Sequence, residues 1–151
     1  MVRGNVGWRM ALWGVAAAVV LSACPPPRYD PKMEVASADW SQQLGTFITD
    51  TESKAGTPEG EYAASKQFYE DFQNKIGGQI ANTKAEGGSA RSVEIMELLS
   101  KDVENLRKLH EAGGKAGLTK EVGEPARAAL ETELRAMAKL QSELRSGNDN
   151  P

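Results

Sequence analysis

The chain has 151 residues, with 18 Lys and Arg against 21 Asp and Glu, a net charge of −3, one His and one Cys. A single cysteine excludes an intrachain disulfide, and a single histidine leaves a zinc or di-iron site short of ligands. The acidic balance gives no electrostatic reason to hold nucleic acid or anionic lipid.

Residues 1–23 stand apart from the rest. Their only charges, Arg3 and Arg9, are positive and early, and an apolar run from Met10 to Leu21 follows. About a dozen residues is too short to cross a bilayer, which takes roughly 20, but it is the length of a secretory signal core. Leu21-Ser22-Ala23-Cys24 closes the segment.

That tetrapeptide, behind that charged start and core, resembles the lipobox of bacterial lipoproteins: a Leu, two small residues and a Cys. The resemblance implies cleavage between Ala23 and Cys24, a diacylglycerol on the Cys24 sulfur, and usually an acyl chain such as palmitate on the new amino terminus. Thiol chemistry suits this, because sulfur is the nucleophile that alkylation needs. Two or three chains anchor stably where one is marginal. Lipidation also explains a lone cysteine in an exported chain. The resemblance further implies a membrane-anchored protein facing the periplasm. Pro25 follows the cysteine, where inner-membrane retention commonly uses Asp, so in a Gram-negative host the outer membrane is expected. Removing 1–23 takes away Arg3, Arg9 and no acid, which moves the net charge from −3 to −5.

Residues 24–38 read as a Pro-rich tether. Pro25-Pro26-Pro27 and Pro31 favour extended geometry and oppose helix. At about 3 Å per residue, such a stem lifts the domain by at most roughly 40 Å.

Residues 39–146 are helical in pattern, with few β-branched residues and no lasting alternation. The first helix spans about 39–54, capped by Asp39 or Ser37, with Trp40, Leu44, Phe47, Ile48 and Thr51 on one face. The second spans about 58–85 from the start signal Thr57-Pro58. Tyr62, Ser65, Tyr69, Phe72, Ile76, Gln79 and Thr83 step by three and four, widened by Phe68 and Ile80 and interrupted by Gly77-Gly78. The third, about 89–112, is capped by Ser89 and sets Ile95, Met96, Leu99, Val103, Leu106, Leu109 and His110 on one face. The fourth, about 119–146, turns Ala126, Leu130, Leu134, Met137, Leu140 and Leu144 inward, and Pro125 either kinks it or opens it. Gly147 stops it, and 147–151 form a disordered tail. Acid-before-base pairs at i,i+4 mark solvated faces: Asp71–Lys75, Glu97–Lys101, Glu104–Lys108 and Glu131–Arg135. One-sided helices with short links predict an all-α antiparallel bundle of three to four helices.

The pattern offers little chemistry. Arg107 stands three residues before His110, so the Glu-x-x-His of di-iron bundles is absent. Met96 and Met137 sit on core stripes, where methionine normally packs, and His110 is expected at the bundle edge near a helix end. No Gly-x-Ser-x-Gly elbow or phosphate-cradling glycine motif is present. No catalytic residue, metal site or cofactor is therefore expected. Four aromatics, Tyr62, Phe68, Tyr69 and Phe72, fall within eleven residues. Phe68 and Tyr69 are the candidate contacts for a partner; the competing reading is core. The expected role is a non-enzymatic structural or interaction lipoprotein binding another envelope protein. The alternatives are an immunity or exclusion lipoprotein that neutralises a toxin or incoming element, and a small-ligand or haem carrier.

Overall fold

The computed structural model describes residues 28–148. Ala23, Cys24 and the preceding apolar run lie outside them. Four helices follow in order: α1 (Pro31–Ser53), α2 (Tyr62–Ala85), α3 (Ala90–Ala112) and α4 (Lys120–Asn148). Short 3₁₀ turns at Pro58–Gly60 and Gly114–Ala116 lie in the α1–α2 and α3–α4 links. No strand occurs among the described residues, and the all-α bundle expected from periodicity is the fold.

The first helix begins at Pro31, two turns before the expected start, so residues 31–38 belong to the bundle and not to the tether. Pro31 occupies the first turn, where its missing N–H costs nothing and its fixed φ already suits a helix. The Asp30 side chain caps that turn by accepting the Lys32 N–H at 2.9 Å. Met33 and Ser37 are buried and extend the stripe of Trp40, Leu44, Ile48 and Thr51 at steps of three and four. What remains before the bundle is short. The six residue steps from Cys24 to Asp30 can reach no further than roughly 20 Å, half the expected lift.

The other boundaries move less. Thr57-Pro58 opens a 3₁₀ turn, and α2 proper starts at Tyr62. The helix runs through Gly77-Gly78 without a break. Gly87, at φ +67°, turns the chain after α2, and Ser89 Oγ accepts the Ser92 N–H to cap α3. Pro125 lies inside a continuous α4, as its sixth residue, and Gly147 does not end that helix.

The helices pack α1 on α4, α4 on α3 and α3 on α2. Between α1 and α2, large rings fill the space: Phe47 stacks on Phe68 with centroids 3.7 Å apart, and Trp40 meets Phe72 edge-on at 6.3 Å. Three side chains on the expected inner faces are displaced. Leu109 is 46% exposed, because His110 beside it points inward. On α4, Gln141 takes the innermost position while Leu140 and Leu144 are half-buried.

Alternating helix directions give the bundle two ends. At the stem end, the Asp30 N–H donates to Gln141 Oε1 at 3.1 Å, and Gln141 Nε2 donates to Ser92 Oγ at 3.2 Å. One buried amide thus joins the stem, α4 and α3. At the far end, the Gly56 N–H donates to the Ala116 carbonyl at 3.0 Å. Gly117, at φ +67°, lies so close to Gly60 that a Cβ there would meet the Gly60 carbonyl oxygen at 2.2 Å.

Candidate functional site

The two aromatics singled out in α2 have different fates. Tyr69 is fully buried. Its hydroxyl lies 3.0 Å from His110 Nδ1, and Phe47 meets its ring edge-on at 5.1 Å. It belongs to the core and presents nothing to a partner. Phe68 is half-buried, with one ring face taken by Phe47 and a further contact to Phe72. Its open edge lines a shallow depression with Asp39, Gln43, Thr46 and Asp50 of α1. The structure therefore separates the pair into one core residue and one partly accessible residue.

His110 is also core, not edge. Its Nε2 lies 2.9 Å from the Gly60 carbonyl oxygen, which can only accept, so Nε2 carries a proton. Nδ1 then accepts the Tyr69 hydroxyl proton in the neutral tautomer. Both ring nitrogens are engaged inside the protein. The histidine pins the α1–α2 link to α3, and the sequence could not distinguish this from an edge position, because Gly60 lies 50 residues away. Burial raises the ionisation of the Tyr69 phenol above its ordinary value, the nearby Tyr62 adds to this, and Arg107 opposes it.

In the sequence Arg107 enters as the residue that breaks a metal motif. It is the hub of a surface cluster. It grips Glu104 through two hydrogen bonds of 2.7 and 2.8 Å, reaches Glu111 at 2.9 Å, and donates to the Tyr62 hydroxyl at 3.2 Å. The guanidinium holds the Glu104 carboxyl below the usual range, chiefly by hydrogen bonding. Its own ionisation is raised by Glu104 first and Tyr62 second. The spacing of Glu104, Arg107 and Glu111 on one helix face was the available signal.

On the opposite side, α1 and α4 enclose an open groove of about 460 Å³. Leu44, Ile48, Leu130 and Leu134 form its apolar part, and Ser41 and Gly45 keep the α1 wall low. Arg127 at its end donates to Thr49 Oγ1 at 2.9 Å and lies 3.6 Å from Glu52 Oε2. The other Glu52 oxygen is buried without a hydrogen-bond partner, and a Cβ on Gly123 would fall 2.0 Å from it. No group of three His, Cys, Asp or Glu side chains among the described residues is arranged to hold a metal ion, and none of the described helices is long and apolar enough to cross a membrane.

No protein-family model, curated protein or solved structure matches the chain.

Proposed function

We propose that the protein is a lipid-anchored lipoprotein of the bacterial envelope that acts by binding another protein. The observation that carries this reading is Leu21-Ser22-Ala23-Cys24 behind an apolar core of signal length. Lipid on Cys24 supplies the membrane attachment, and the bundle supplies a stiff, polar-surfaced body on a short stem. The partly accessible residues available to a partner include Phe68 and those lining the α1–α4 groove. The role is structural or recognition, with no chemistry of its own and no cofactor.

Fractionation tests the anchor. The natural chain is expected in the membrane fraction, and in a Gram-negative host in the outer membrane, because Pro25 stands where inner-membrane retention uses Asp. Cys24→Ser is expected to give an unprocessed or soluble form. A Ser variant that is processed to the same size and still sediments with membranes overturns the anchor, and natural protein found wholly in the inner membrane overturns the sorting. Crosslinking in intact cells tests the interaction: a discrete adduct to another envelope protein is expected, and its absence overturns a binding role.

A further inference from the structure

We infer that the stem end of the bundle is the surface apposed to the lipid bilayer, and that the bundle stands on this end with its far end turned away. The inference rests on the proposed lipid at Cys24.

Three observations carry it. The first is how the stem is held. The Tyr29 hydroxyl donates to the Glu34 carboxylate and accepts from Arg145 at 2.7 Å, and the Arg145 guanidinium lies over the Tyr29 ring, 4.8 Å from its centroid. The Asp30 N–H is tied to Gln141. The chain is therefore fixed to α4 from Tyr29 onward. Five residue steps separate Tyr29 from Cys24, which allows a reach below roughly 20 Å.

The second is length. α1 has 23 residues and is about 35 Å long. A tether shorter than the helix, attached at one end, keeps that end near the lipid.

The third is the distribution of charge. At the stem end, ion pairs between elements leave no net charge: Lys32 with Glu86 at 3.3 Å, Lys84 with Glu97 at 3.0 Å, and Arg145 with Glu34. At the far end, Glu59, Glu61 and Glu121 have no ion-pair partner among the described residues. The cations Lys54, Lys66, Arg107, Lys108, Lys120 and Arg127 there are held in ion pairs, and among the described residues Lys115 alone has none, so three unpaired acids face one unpaired base. Screening at physiological salt acts over about 8 Å. An upright bundle holds this acidic excess several screening lengths from an anionic surface. A bundle lying on its side brings it within one.

The partner of this face is a phospholipid headgroup surface. The rim, neutral among the described residues, meets such a surface without net repulsion.

The test uses the natural lipidated chain, whose only native cysteine carries the lipid. A single new cysteine is placed in Ala90→Cys at the stem end or Lys115→Cys at the far end, both exposed. Each is labelled with a donor fluorophore in vesicles that contain phosphatidylglycerol and an acceptor on the headgroups. Transfer from position 90 is expected to be at least about twice that from position 115, given the length of the bundle. Equal transfer, or more from position 115, overturns the orientation. The double variant Tyr29→Ala, Arg145→Ala removes the exposed clamp and leaves the core untouched. It is expected to narrow the difference while the helical circular dichroism stays the same; an unchanged ratio overturns the clamp as its cause. Protein that floats with the vesicles but fails the transfer test separates a wrong orientation from a wrong anchor.

Discussion

Tyr69 and His110 show how a residue type with catalytic associations becomes structural through its partners. The imidazole has one obligate acceptor, the Gly60 carbonyl, and one hydroxyl partner, the Tyr69 phenol. Removing the hydroxyl leaves a buried ring nitrogen unpaired, which typically costs about 1–3 kcal/mol. Tyr69→Phe is therefore expected to melt earlier at neutral pH. The same burial predicts a pH dependence. The phenol ionises less readily in the folded chain than in the unfolded one, whose value is about 10. Below that value both states hold the proton and nothing is lost. Above it the unfolded chain releases its proton first, so folding stability falls as pH rises. Melting temperatures between pH 9 and about 11 should fall more steeply for the natural chain than for Tyr69→Phe. Parallel slopes would mean that the phenol is not held neutral by the core.

At the scale of elements, glycines do different work according to where the fold places them. Gly77 lies in mid-helix, faces solvent, and has nothing within 4 Å of where a Cβ would stand. Gly77→Ala is expected to raise stability by about 1 kcal/mol through helix propensity alone. Gly117 has φ +67° and would thrust a Cβ onto the Gly60 carbonyl. Gly117→Ala is expected to lower the melting temperature, and a rise would show that the far-end links are not packed as described. Periodicity fixed the helices because each carries a one-sided apolar stripe, and that signal is local. The start of α1 was hidden by Pro31, since proline argues against a helix everywhere except its first turn. Glu97 pairs with Lys84 across the α2–α3 link instead of Lys101 in its own helix, and Lys75 donates to Gln43 of α1. These partners depend on which helices become neighbours, which spacing within one helix does not encode. The burial of His110 and Gln141 was illegible for the same reason: their partners lie 41 to 111 residues away. The lipobox remained a matter of sequence throughout, since residues 23 and 24 fall outside the described part of the chain.

For the whole molecule, the question is what holds four amphipathic helices together without a disulfide. The buried set joins all four, from Met33 and Leu44 through Phe72 and Leu106 to Leu134. Leu106 of α3 is fully buried and Leu134 of α4 is 5% exposed. Truncating such a leucine to alanine removes transfer energy and leaves a cavity, at a typical cost of about 2–5 kcal/mol. A domain of this size has only roughly 5–15 kcal/mol in total. Leu106→Ala and Leu134→Ala are each expected to lower the melting temperature clearly. The exposed polar contacts make the contrast. Asp71 accepts a hydrogen bond from Gln67 on the surface, and the ion pair of Glu97 with Lys84 is more than half exposed on both sides. Solvent and salt screen such contacts to a few tenths of a kcal/mol. Asp71→Ala and Glu97→Ala should therefore melt close to the natural chain. If the acidic variants melt as early as the leucine variants, apolar burial is not what holds the bundle, and its outer faces would have to remain paired with one another rather than stand open to a partner.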